Sequence, residues 1–135
     1  MNSIKSRLGI VTSWLANDHC DVLLIQETKS QDINFPTTAF EDIGWYVVFH
    51  GQKSYNGVAI ASRHKIEDVK CGLPGDHSDE QARYMEASID GIRVATIYLP
   101  NGNPAPGPKF DYKLDWLNRL EARAAKLLES EMPIV

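Results

Sequence analysis

Cysteine is nearly absent from this chain. Cys20 and Cys71 are the two in 135 residues; their spacing suits neither a zinc site nor a disulfide framework, so they fit a reducing cytoplasm and small buried positions without chemistry. Long hydrophobic runs are missing too. No stretch approaches the roughly 20 apolar residues that cross a bilayer, and no basic, apolar and cleavage-site sequence opens the chain, which predicts a soluble, unexported protein with no membrane partner. Excess positive charge is also lacking. With 14 Lys and Arg against 18 Asp and Glu, the net charge of −4 removes the footprint of a nucleic-acid binder over the whole surface. A local basic strip is still open to Lys29, Lys53, Arg63, His64, Lys65, Arg83 and Lys109, all in or near expected loops; singly, each reads as readily as scattered solubilising charge. There are no internal repeats, low-complexity tracts or linkers. A hydrophobic content of 43% over this length allows one core, hence one domain spanning 1–135 or part of one.

What is present alternates helix and strand signals. Ile4, Leu8, Val11 and Leu15 recur at helical spacing behind Ser3 as N-cap, predicting an amphipathic helix from Ser3 to about Asp18. Val22 to Gln26 reads as a buried parallel strand, so helix and strand form half of a βαβ unit whose first strand is not in the sequence, and the start looks cut. Thr37 to Ile43 suggests a short helix. Trp45–Phe49 and Gly57–Ala61 read as strands joined through the polar, basic loop His50–Asn56. Pro74–Glu80 is a loop by composition. Tyr84–Ile89 and Ile92–Leu99 flank Asp90-Gly91, the signature of a two-residue hairpin turn. Pro100–Pro108 is proline-rich, irregular and stiff. A helix from about Asp111 to Ser130 should then turn Leu114, Leu117, Leu120, Ala124, Leu127 and Leu128 to one face. Met132–Val135 restarts an apolar run, so the end also looks cut, inside a strand.

Two places invite chemistry. Ligand sites in open α/β sheets lie beyond the carboxyl ends of strands, which makes Glu27 a candidate metal ligand, although Gln26–Thr28 can equally begin a solvated loop. Tyr98 and Asn101 straddle the exit of another strand. A phenol can donate to a phosphate oxygen or a metal-bound water and an asparagine amide to a phosphate; alone, they read more readily as a β-former and a turn residue.

In order, LLIQETK, the HGQK loop followed by NGVAI, and IYLPNG strongly resemble the exodeoxyribonuclease III family of apurinic/apyrimidinic endonucleases, in the endonuclease/exonuclease/phosphatase superfamily. The resemblance spans nearly the whole chain: NSIKSR is similar to the end of the family's first-strand motif, QETK to its metal-binding motif and PGDHSDEQAR to its mid-domain loop. It implies the first half of a four-layered α/β sandwich, two mixed sheets flanked by helices, truncated at both ends. Residue by residue it makes Glu27 the magnesium ligand, with manganese as an alternative ion, and Asn2 a second metal-site residue. Tyr98 becomes the active-site tyrosine, Asn101 a contact to the DNA backbone, and Arg83 and Lys29 further DNA or site contacts. The implied partner is double-stranded DNA with abasic sites or 3′ ends; the full-length form would be a cytoplasmic monomer.

The departures matter as much. The first asparagine of the opening motif is missing, and the chain stops at PIV, where the family continues into a Gly-Asp-x-Asn motif and later a Ser-Asp-His ending that supply its catalytic aspartate and histidine. His19, His50, His64 and His77 match neither motif. The resemblance therefore implies magnesium-dependent DNA phosphodiester hydrolysis in repair, with this chain nearly inactive by itself. A non-catalytic DNA-binding remnant and a relative cleaving another phosphodiester are the alternatives.

Overall fold

The structure is a computed structural model describing residues 1–17 and 19–135; Asp18, where the first helix was expected to end, lies outside the described residues. Alternation along the strands builds its layers. β1 (Val22–Gln26), β2 (Tyr46–His50) and β3 (Val58–Ser62) form one antiparallel sheet in the order β1-β3-β2. On one face Leu23, Ile25, Val47, Phe49, Ala59 and Ala61 pack against α1 (Ile4–Ala16) and α2 (Thr37–Glu41). On the other, Val22, Leu24, Val48, Val58 and Ile60 meet the second sheet. This is the period-2 split of a strand covered on both sides.

The second sheet has the order β4-β5-β6, from β4 (Glu67–Cys71), β5 (Tyr84–Ile89) and β6 (Ile92–Ile97). Met85, Ala87, Ile89 and Val94 face the first sheet, while Tyr84 and Ala95 face α3 (Pro108–Glu129) through Trp116, Tyr112 and Leu120. The layers are thus helices, sheet, sheet, helix, the expected four-layered arrangement. Every pairing between the six strands is antiparallel. Parallel pairing enters where Ile134 bridges Arg93, the strand restart read from MPIV.

Several expectations need correction. β1 is antiparallel to β3, not parallel: its continuous apolar run records burial on both faces, which an inner antiparallel sheet supplies as well as a parallel one. Cys71 is exposed, because β4 is an exposed edge strand whose polar sequence hid it from pattern reading. α3 begins at Pro108, taking proline at its first turn. The helix also faces differently. Its buried residues are Trp116 and Arg119, whereas Leu114, Leu117 and Leu128 are exposed.

The reason lies beneath it. Glu86 on β5 is 1% exposed and the Asp79 side chain is 8% exposed, so each requires charged partners. Arg119 Nη2 donates to Asp79 Oδ2 at 2.7 Å, Arg93 Nη2 to Glu86 Oε1 at 3.1 Å and Tyr84 Oη to Glu86 Oε2 at 2.6 Å. Arg123 closes the set with hydrogen bonds to both Glu86 oxygens. Burial opposes the charge on Glu86, but the bonds from Arg123, Tyr84 and Arg93 outweigh it and hold its pKa below the ordinary carboxylate value.

Candidate active site

The carboxyl ends of β1 and β6 leave the sandwich together. Thr96 Oγ1 on β6 accepts from Gln26 Nε2 at 3.1 Å and donates to the Ile25 carbonyl at 3.3 Å, stapling the strands just before Glu27 and Tyr98. Past this staple β1 turns sharply: Glu27 has φ +61° and Lys29 φ +49°, a left-handed region costing L-residues roughly 1–2 kcal/mol each. Neighbouring backbone holds the turn. Ser3 N donates to the Glu27 carbonyl at 3.0 Å and Ile4 N to the Thr28 carbonyl at 2.9 Å, while Thr28 N and Lys29 N donate to Gly57 at 3.1 Å and Asn56 at 2.9 Å. Gly57 has no room for a side chain: at φ +93°, an added Cβ would lie 2.0 Å from Thr28 Oγ1.

This scaffold assembles four predicted residues around one carboxylate. Glu27, with 28% of its side chain exposed, has Lys29 Nζ 3.5 Å from Oε1 and the Met1 amino group 3.9 Å from Oε2. Lys29 Nζ also donates to Asn2 Oδ1. Tyr98 stands beside Glu27; burial, followed by the negative charge of Glu27, pushes its pKa up, with Arg83 opposing. Tyr98 therefore remains a protonated donor at neutral pH. Arg83 stacks on the Tyr98 ring at 5.1 Å and donates from Nη1 to the Tyr98 carbonyl at 3.2 Å.

Asn101 stands apart from that cluster but borders the same opening. A cleft of about 410 Å³ is lined by Gln81, Arg83, Asn101, Gly102, Lys109 and Tyr112 among others. Gln81 Oε1 accepts from Arg83 Nε at 2.7 Å, aiming the guanidinium. Tyr112 donates to Asp79 Oδ2 at 2.9 Å; burial and that bond push its pKa up to about 12.

The expected basic strip divides. Val58 pairs with Gln26 at the site end of β3, whereas Ser62 pairs with Val22 at the opposite end, so Arg63, His64 and Lys65 leave from the far side. There His64 Nδ1 lies 3.0 Å from Asp90 and Lys65 3.1 Å from Glu67. Of that set, Lys29 and Arg83 belong to the site and Lys109 lines its cleft, while Lys53 sits in the β2–β3 loop at the same end of the sheet. Two residues without an assigned role do visible work here: Gln52 Oε1 accepts from Asn56 Nδ2 at 2.9 Å and Ala82 N at 2.8 Å, tying the β2–β3 loop to the segment that carries Arg83. The HGQK and NGVAI motifs contained that signal, although neither names a bond.

A divalent cation fits in one specific respect. Glu27 and Asn2 oxygens already converge on a cationic nitrogen, and magnesium takes oxygen ligands, often one or two carboxylates with waters completing the shell. Among the described residues no group of three or more His, Cys, Asp or Glu is placed to hold a metal, so a closed all-protein cage is not the arrangement.

Known proteins share this framework. Over 140 aligned residues the chain is 28% identical to the exodeoxyribonuclease III of Haemophilus influenzae, the alignment taking in 100% of the chain and 52% of that protein. The solved 3′-5′ exonuclease of Neisseria meningitidis superposes with a TM-score of 0.92 at 40% identity, over 95% of this chain and 50% of that one. An AP endonuclease from Archaeoglobus fulgidus superposes with a TM-score of 0.83 at 48% identity, over 88% and 46%. The chain thus spans about half the length of such relatives. Residues 4–135 match the Endonuclease/Exonuclease/phosphatase family, and the chain belongs to that family.

Proposed function

We propose that this chain supplies the metal-holding and phosphate-orienting side of a magnesium-dependent DNA nuclease of base-excision repair, acting on duplex DNA at abasic sites and 3′ ends. The observation that carries the reading is the cluster at the carboxyl ends of β1 and β6, where Glu27, Asn2, Lys29, Tyr98 and Arg83 form one connected set. The relatives named above are DNA nucleases, which supports the substrate class. Residues 1–135 are taken as part of one endonuclease/exonuclease/phosphatase domain, working as a cytoplasmic monomer in its full-length form.

Phosphodiester hydrolysis requires neutralised phosphoryl charge, an activated water and a stabilised leaving oxygen. Glu27 and Asn2 would hold Mg²⁺, or Mn²⁺ in its place, which when bound supplies that neutralisation. Tyr98, kept protonated beside Glu27, orients a phosphate oxygen through its hydroxyl. Arg83 is fixed by Gln81 and the Tyr98 carbonyl and presents its remaining donors to the DNA backbone, with Asn101 across the cleft. The protein contacts recorded for the Glu27 carboxylate, among the described residues, are Met1, Lys29 and Tyr98. None is a histidine or aspartate that would activate water, so the chain alone binds far better than it cuts.

The test is fluorescence anisotropy of an abasic duplex with the 135-residue chain at low salt, with and without Mg²⁺, beside a nicking assay. Salt-sensitive binding that Mg²⁺ strengthens and Arg83→Ala weakens by roughly tenfold, with little nicking, is expected. Absence of binding at low salt, or cleavage confined to small phosphoesters, overturns the reading.

A further inference from the structure

We infer that Lys29 is a resident cation of the Glu27–Asn2 pair, occupying the place of the divalent ion and yielding it only when that ion binds. The inference rests on the metal reading above and deepens it. Two left-handed residues, Glu27 and Lys29, fold the backbone so that a side chain two residues downstream returns to the carboxylate. Its ammonium then meets both oxygens of the metal pair, Glu27 Oε1 at 3.5 Å and Asn2 Oδ1 through a hydrogen bond. A residue serving mainly as a phosphate contact would extend its charge away from the site, and the Lys29 ammonium turns back onto Glu27 and Asn2.

This gives the site two states. Without metal, the lysine neutralises Glu27 and keeps the two ligand side chains together, opposing repulsion by the phosphates of approaching DNA. With metal, two cations cannot share the position, so the flexible lysine stem swings aside and its charge becomes available beside the metal. The cost of that exchange weakens intrinsic metal affinity. The Met1 amino group lies 3.9 Å from the other carboxylate oxygen, farther than Lys29 from its own.

The probe is Mn²⁺ alone, titrated into the 135-residue chain in the absence of DNA and followed by loss of the free-ion electron paramagnetic resonance signal. Wild type, Lys29→Met, Lys29→Arg and Glu27→Gln are compared, with circular dichroism melts confirming that each is folded. Lys29→Met should bind Mn²⁺ about three- to tenfold more tightly, the range for releasing an exposed ion pair and a nearby like charge. Lys29→Arg, which keeps the charge, should stay near wild type, and Glu27→Gln should lose binding. If Glu27→Gln loses binding while Lys29→Met matches or falls below wild type, the metal reading stands and the inference is overturned. If Glu27→Gln binds like wild type, or no variant binds saturably, both fall.

Discussion

Two carboxylates in this molecule have nearly the same company and opposite surroundings. Glu86 accepts a tyrosine hydroxyl and is flanked by Arg93 and Arg123; Glu27 lies beside Tyr98, whose pKa its charge helps to raise, and is flanked by Lys29 and the Met1 amino group. Glu86 is 1% exposed, whereas the Glu27 side chain is 28% exposed. Around Glu86 the partners are guanidiniums, whose planar forks lock a carboxylate from fixed directions. Around Glu27 they are ammoniums, compact charges that water can replace. The interior set welds α3 to its sheet, while the rim set is loose enough to exchange a partner. The proposed metal site draws on the second kind of carboxylate, and the first secures the frame that presents it.

The sharpest way to break the comparison is to neutralise each acid in turn. Glu86→Gln leaves Arg93 and Arg123 facing a buried amide and should cost about 3–5 kcal/mol in urea unfolding, whereas Glu27→Gln should stay within about 1 kcal/mol. Equal losses would erase the distinction. Gly57→Ala comes next, at about 1–3 kcal/mol, because the new methyl meets Thr28 Oγ1 at a left-handed backbone position. It tests whether the rim's looseness belongs to its side chains and not to the turn beneath them.

Acid separates the two sets further. The folded pKa of Glu86 is depressed, so its contribution is fully present above the ordinary value of about 4.3 and is lost as pH falls through the lower, folded value. Melting temperature should therefore drop from about pH 4 downward, and Glu86→Gln should flatten that decline. An unchanged slope in the variant would move the acid sensitivity elsewhere.

How much of this was legible depended on what each pattern encodes. The Asp90-Gly91 hairpin was readable because its turn chemistry is local, and β5 pairs with β6 in the register it implies. The layers were readable through the resemblance. Strand direction at β1 was not, since burial on two faces writes the same apolar run for either direction. The face of α3 was misread because leucine periodicity competes with two buried acids that attract Arg119 and Arg123, and nothing in the helix's own sequence announces them. At the site, motif order named Glu27, Tyr98 and Asn101, but the supporting bonds of Gln52 run from one loop to a segment 30 residues away, a distance no local pattern spans.

The smallest expected effect is the most discriminating for the rim. Tyr98→Phe deletes one hydroxyl and keeps the ring on which Arg83 stacks, so Arg83 should hold its place. The hydroxyl lies beside a partly exposed carboxylate where water can take its place, so the loss in urea unfolding should be under about 1 kcal/mol. Duplex affinity should fall more than stability does, since the phosphate loses a donor that water does not supply in the same orientation. Both numbers come from one protein preparation, by urea titration and by anisotropy. If stability falls as far as for Glu86→Gln while duplex binding is untouched, Tyr98 is holding the fold together, and the rim is built like the interior.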